Sequence, residues 1–265
     1  MTVTTLVRSR EYLVSQRRTI IARAIAGSLA GTLPIPFLDD WAVALVLGGG
    51  YRRLAAAHHI DLDDTAVKIL VHGTTPPPTI VDLATNGIML RIAGRAAGRM
   101  LLALATIERA RSAARTFVTM TLFDHYCARL HTGLAIDAAT ALALRDEIGR
   151  AIDQTPGALV FHPFRRGALS AARATLRAPL ELADLATGGA VRRLLARRTG
   201  VTDAEAVDEL DQAVETALAS KTGFLSRTVA AVEVQLSAEA NPFLDAALDT
   251  LDIRWRARVA AGVVK

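Results

Sequence analysis

One cysteine, three lysines and a 5% share of aromatic residues are what this 265-residue chain has least of. A lone Cys127 excludes an internal disulfide and suits a reducing compartment. Scarce aromatics, in a chain that is 51% apolar with a mean hydropathy of +0.30, argue against a β-sandwich and for closely packed Ala, Leu and Val helices. No apolar run reaches the roughly 18 to 20 uninterrupted residues that a spanning helix needs. No stretch alternates in the manner of a strand, and Leu159-Val160-Phe161 is too short to count. The first ten residues carry no apolar region followed by an Ala-x-Ala site, so no secretory signal is read there.

Chemical signatures are equally sparse. There is no Gly-x-Ser-x-Gly elbow, no Walker-type Gly-Lys-Ser/Thr, and no helix-turn-helix, RNP or zinc-finger pattern. Carboxylates such as Asp208 and Asp211 fall on helix faces read as solvated, not as an acid/base couple. These absences set aside nucleophilic hydrolysis and nucleic-acid recognition, and no cofactor is expected. The net charge of +5 and pI of about 10.0 come almost wholly from arginine, and permit an anionic lipid surface as partner.

What is present is an apolar helical hairpin. Residues 20–31 read as an apolar helix that breaks at Leu33-Pro34-Ile35-Pro36-Phe37-Leu38-Asp39-Asp40 and restarts at Trp41, running to Leu54. Two prolines one residue apart cannot sit inside a regular helix. Asp39 or Asp40 can cap the second arm and complement its positive end. Pro34, Ile35, Pro36, Phe37, Leu38 and Trp41 therefore form a greasy bent tip, and Arg17, Arg18 and Arg23 are the cations expected to meet lipid phosphates. Gly48-Gly49-Gly50 and Gly94-x-x-x-Gly98 offer small-residue faces, expected at helix crossings.

Helical periodicity continues along the chain. The segment from about Thr5 to Gly31 reads as one helix, with Val14, Ile21, Ile25 and Leu29 on one face. A short helix from the Asp61-Leu62-Asp63-Asp64 caps precedes His72-Gly73-Thr74-Thr75-Pro76-Pro77-Pro78, the clearest linker, which divides the chain into 1–75 and 76–265. A helical stretch from Thr79 to about His131 is too long for one straight element, with a weak point at Asn86-Gly87 or Gly94, and Gly133 is read as its left-handed cap. Further helices span about Asp137 to Asp153, Ala168 to Ala178 and Pro179 to Thr199. Another runs from a Thr202/Glu205 capping box to Ser220, one from Leu225 to Ala238, and the last starts at Asn241-Pro242. Gly48 to Leu70 laid on Gly188 to Leu210 matches at ten of twenty-three positions, which suggests an internal duplication spanning about 168–210.

Asp124, Cys127 and His131 recur at i, i+3 and i+7 on one helix face. All three residue types ligate zinc, and His162, His58, His59 or His72 would have to complete a site. A buried cysteine beside a hydrogen-bonded histidine gives the same pattern.

The order apolar helix, Pro34-Ile35-Pro36, Asp39-Asp40, apolar helix, then Tyr51-Arg52-Arg53-Leu54-Ala55 resembles the uncharacterised helical membrane family found fused to or beside Era-like GTPases. More loosely, it resembles the EcsC-like family. Members usually carry Gly after the Arg-containing helix, where this chain has His58-His59-Ile60. The resemblance covers residues 20–70 and implies a membrane- or GTPase-associated helical protein, with no catalytic residue to transfer. The expectation is thus an all-α multi-helix bundle with a Pro-Ile-Pro-bent hairpin. It is read as non-enzymatic, cytoplasmic and peripheral on the inner membrane face, with an anionic membrane surface, a small GTPase or a second copy as partner and no nucleic acid. A soluble scaffold or homodimer with the hairpin buried, and a metal-dependent enzyme, are the alternatives.

Overall fold

A computed structural model describes residues 10, 12–30, 38–74, 100–159, 162–164, 203–220, 223–238 and 242–262. The elements traced among them are α1 (Tyr12–Ala30), α2 (Leu38–Ala57), β1 (Asp61–Leu62), α3 (Asp64–His72), α4 (Met100–Arg129), β2 (Ala135–Ile136) and α5 (Ala138–Gln154). A 3-10 turn (Pro156–Ala158), α6 (Asp203–Ala219), α7 (Phe224–Ala238) and α8 (Pro242–Ala260) follow. The fold is all-α, with two short strands among the described residues.

The centre is α1. Residues Ile20 to Ala26 are buried without interruption, so this part of the helix is covered on every side. It runs along α4 and α2, with α7 and α6 completing the enclosure. Burying each of Ile20, Ile21 and Ile25 contributes about 1.5–3 kcal/mol. Val14, grouped with these residues by spacing, is instead 57% exposed, while Leu13 beside it turns to the core. On the far side of α4, α3 packs on α5 and α5 on α8. The last helix turns Leu248, Leu251 and Trp255 inward as its spacing requires.

The strands were not legible as strands. They pair in parallel with Asp61 opposite Ala135 and Leu62 opposite Ile136, and the Asp61 N–H donates to the Leu134 carbonyl at 2.7 Å. Each is followed by an N-cap aspartate. Asp63 accepts from the Ala66 N–H at 2.6 Å, and Asp137 from the Thr140 N–H at 2.8 Å. Units α2–β1–α3 and α4–β2–α5 therefore share one helix–strand–helix plan and lie side by side. The signal was Ile60-Asp61-Leu62-Asp63 against Leu134-Ala135-Ile136-Asp137, an apolar residue, a spacer, an apolar residue and a cap. Positions 188–202 of the duplication expected from Gly188 to Leu210 lie outside the described residues, as do Asn86-Gly87, Gly94 and Gly98.

Two helix ends invert the glycine expectation. His59 ends α2 with a φ of 59°, its N–H bonded to Ala56 O and that of Ile60 to Ala55 O, both at 3.0 Å. This is the left-handed cap that glycine usually supplies. Gly133 does not cap α4: the helix stops at Arg129, and the Leu130 and His131 N–H groups both bond Tyr126 O at 2.9 Å. Among the described residues the glycines with positive φ are Gly73 and Gly262.

Candidate functional site

The base of the hairpin holds a buried ion cluster. Arg23, expected to face lipid phosphate, is 0% exposed, and this corrects its assignment to a membrane surface. Its Nη2 donates to Asp211 Oδ1 and lies 3.5 Å from Glu215 Oε1. Arg53 reaches Glu215 Oε2 at 3.1 Å and Asp211 Oδ2 at 3.9 Å. Burial lowers the Arg23 pKa, and the two carboxylates oppose that shift. A guanidinium taken from water is tolerable only with such partners.

The glycine run makes room for it. A Cβ on Gly49 would lie 3.0 Å from Asp211 Oδ1 and 3.3 Å from Arg23 Nη1; one on Gly50 would overlap the Met120 methyl. One on Gly48 would sit 3.2 Å from Val67 Cγ1. These glycines admit side chains from α1, α3, α4 and α6, where the sequence suggested room for a neighbouring backbone. Arg17 is half-buried, and Arg18 is exposed, 3.7 Å from Glu233. Both lie on α1 about 18–20 Å before its end at Ala30. Pro34, Ile35, Pro36 and Phe37, and the side chains of Leu38 and Trp41, lie outside the described residues.

A second polar cluster surrounds Asp124 to Cys127 on α4. Asp124 is 0% exposed, and its Oδ1 meets His58 Nε2 at 2.7 Å. Its Oδ2 has no hydrogen-bond partner. His125 points elsewhere: Nδ1 bonds the Tyr12 hydroxyl and Nε2 meets Asp252 Oδ1 at 2.7 Å, joining α1, α4 and α8. His131 Nδ1 lies 3.0 Å from the Tyr126 hydroxyl, whose ring packs edge-on against Trp255. Cys127 is buried, and burial raises its thiol pKa, so it is no ready thiolate. The proposed ligand face Asp124/Cys127/His131 is thus dispersed among separate partners. His162 is exposed, and among the described residues no group of three His, Cys, Asp or Glu could hold a metal ion. Sequence spacing put these residues on one face but could not give their partners.

This cluster has a pH signature. Burial lowers the pKa of His125 and His131, so the fold disfavours the charged form of each. The unfolded chain binds more protons below about pH 6.5, and stability from these groups is lost as pH falls. Burial raises the pKa of Asp124, an opposite contribution that is present in acid and lost as pH rises through its folded value. The melting temperature should therefore fall as pH drops through about 6.5, and His125→Gln should shrink that fall. A slope unchanged in the variant, measured by scanning calorimetry, would refute this assignment.

A cavity of about 320 Å³ opens between α2, α3, α4 and α5. Leu47 and Tyr51 on α2, Leu70 and Val71 on α3, and Ile148 and Ile152 on α5 form its apolar surface. Ser112, Arg115, Thr116 and Thr119 line one side from α4; Arg145 and Gly149 face them from α5. On both helices the spacing is i, i+3/i+4, i+7, a single stripe. Arg145 is positioned by Nη1, which donates to Leu70 O and, at 3.3 Å, to Ile69 O, where it also suits the negative end of α3. Burial pushes the Tyr51 hydroxyl up to about 12. None of the described residues lining the cavity is acidic. This site was not read from the sequence; the arginines and Gly149 belong to two helices that only the fold brings together.

No helix among the described residues is long and apolar enough to cross a membrane. No protein-family model, curated protein or solved structure matches the chain.

Proposed function

We propose that this chain is a non-enzymatic helical protein that docks on an anionic membrane surface through the Pro34-Ile35-Pro36-Phe37 segment, under the control of a GTPase partner. The supporting observation is the way the hairpin is held. Both arms, Ile20 to Ala26 and Leu45 to Leu54, carry core residues, and Arg23 bonded to Asp211 locks α1 to α6. An anchored base lets a short apolar connection bear load without the arms sliding out. The resemblance of this hairpin to the Era-like-GTPase-associated helical membrane family supports the same reading.

Co-sedimentation with vesicles containing anionic lipid tests it. Phe37→Ser combined with Trp41→Ser should cut the bound fraction at least fivefold, with helical circular dichroism unchanged, through loss of buried apolar area. Absent binding, or binding unaltered in the variant, argues against membrane docking. The burial of both arms also favours a second reading, a helical scaffold or homodimer with the whole hairpin enclosed. That reading expects the same double variant to lower the melting temperature or dissociate a dimer while leaving sedimentation with vesicles at background.

A further inference from the structure

The cavity between α2, α3, α4 and α5 combines three features that a packing defect does not. Its volume of about 320 Å³ lies at the lower end of the range of small-molecule sites. Its walls sort by chemistry, with an apolar floor that includes Tyr51 and Ile148 and a rim carrying Arg115 and Arg145. Two guanidinium groups with no acidic residue among the described lining leave a net positive mouth, since arginine keeps its charge at every physiological pH.

Gly149 is the independent observation. It lies inside α5, where glycine is the poorest helix former after proline. The other glycines inside helices among the described residues are explained by what presses on them, such as Met120 and Arg23 against Gly50. Gly149 has nothing within 4 Å of where a Cβ would stand. Neither packing nor backbone strain requires it, and the space left by its missing side chain is part of the cavity.

We infer that this cavity is a binding site for a small amphiphilic anion, a carboxylate on a short aliphatic tail, with the tail on the apolar floor and the headgroup held between Arg115 and Arg145. Arg145 is already fixed by the Leu70 and Ile69 carbonyls, and two acceptors do not exhaust its five N–H donors. Arg115 is exposed and closes over the headgroup from α4. The fork of a guanidinium matches a carboxylate in two parallel hydrogen bonds.

Calorimetric titration of the full chain at neutral pH tests this with three probes: octanoate, octanamide and inorganic phosphate. Octanoate should bind, and octanamide and phosphate should each bind at least tenfold more weakly, because one lacks the charge and the other the tail. Arg115→Ala, at an exposed position, should weaken octanoate at least tenfold. Gly149→Leu should fill the cavity and abolish binding with the melting temperature at or above that of the parent. If Gly149→Leu lowers the melting temperature, Arg115→Ala decides alone. No octanoate binding at about 10 mM overturns the site, as does octanamide or phosphate binding as tightly as octanoate, or octanoate affinity unchanged in Arg115→Ala. No membrane enters the measurement, so its outcome is independent of the docking reading.

Discussion

Replacing Arg23 by Ala should cost about 3–5 kcal/mol of unfolding free energy, the expected loss when one partner of a buried ion cluster is removed. The variant leaves Asp211 and Glu215 facing each other and the cationic Arg53 beside a void that Gly49 and Gly50 had kept open. Methionine at position 23 refills part of the volume and should cost less, so the difference between the two separates cavity from charge. The triple change Arg23→Met, Asp211→Met and Glu215→Leu should recover most of the loss, because it removes the stranded carboxylates along with their partner. Urea unfolding followed at the helical circular dichroism signal reads all three. A single Arg23→Ala variant within about 1 kcal/mol of the parent would show that the cluster contributes little to holding α6 on the hairpin.

Glu147→Ala should have the next largest effect, about 2–3 kcal/mol. This carboxylate is buried on α5, and accepts from Arg254 Nε at 2.6 Å and Arg258 Nη1 at 3.2 Å, tying α8 to the helix that forms one wall of the cavity. The estimate is smaller than for Arg23 because removing Glu147 strands two arginines that keep partial contact with water and leaves a smaller void than the loss of a fully buried arginine side chain. A double-mutant cycle between Glu147→Ala and Arg254→Ala should give a coupling of about 1–2 kcal/mol. Coupling near zero would mean that each side chain is satisfied by solvent when the other is removed.

These two clusters show where periodicity misleads. Arg23 was grouped with the surface of an apolar helix, and Asp211 and Glu215 with a solvated acidic face, because charge on a helix is exposed in most proteins. The alternative needs a partner from a distant element, and α6 lies about 190 residues from α1. The same limit applies to Glu147, whose partners Arg254 and Arg258 are brought to it from α8, more than 100 residues along the chain. His58 is one of four histidines that the sequence offers as partners for Asp124, and spacing cannot choose among them; the contact of His58 with Asp124 depends on how α2 and α4 are placed in the fold.

Local rules fared differently. Asp63 and Asp137 cap helices where an aspartate precedes an apolar period, since the side-chain oxygen and the free N–H groups lie within three residues. His59 ends α2 without a glycine, and the last helix begins at Pro242, for comparably local reasons. Gly133 failed as a cap because α4 had already turned at Arg129 to enter the strand pair, a long-range requirement that overrides a local preference.

The all-α fold followed from composition and a 3.6-residue period, properties that each helix carries by itself. Which charges were buried, which glycine packed against nothing and where a cationic cavity opened were decided by tertiary structure. Those features are relations between helices: a guanidinium is stable in a core only where other elements deliver carboxylates to it, and a cavity exists only between surfaces that do not quite meet.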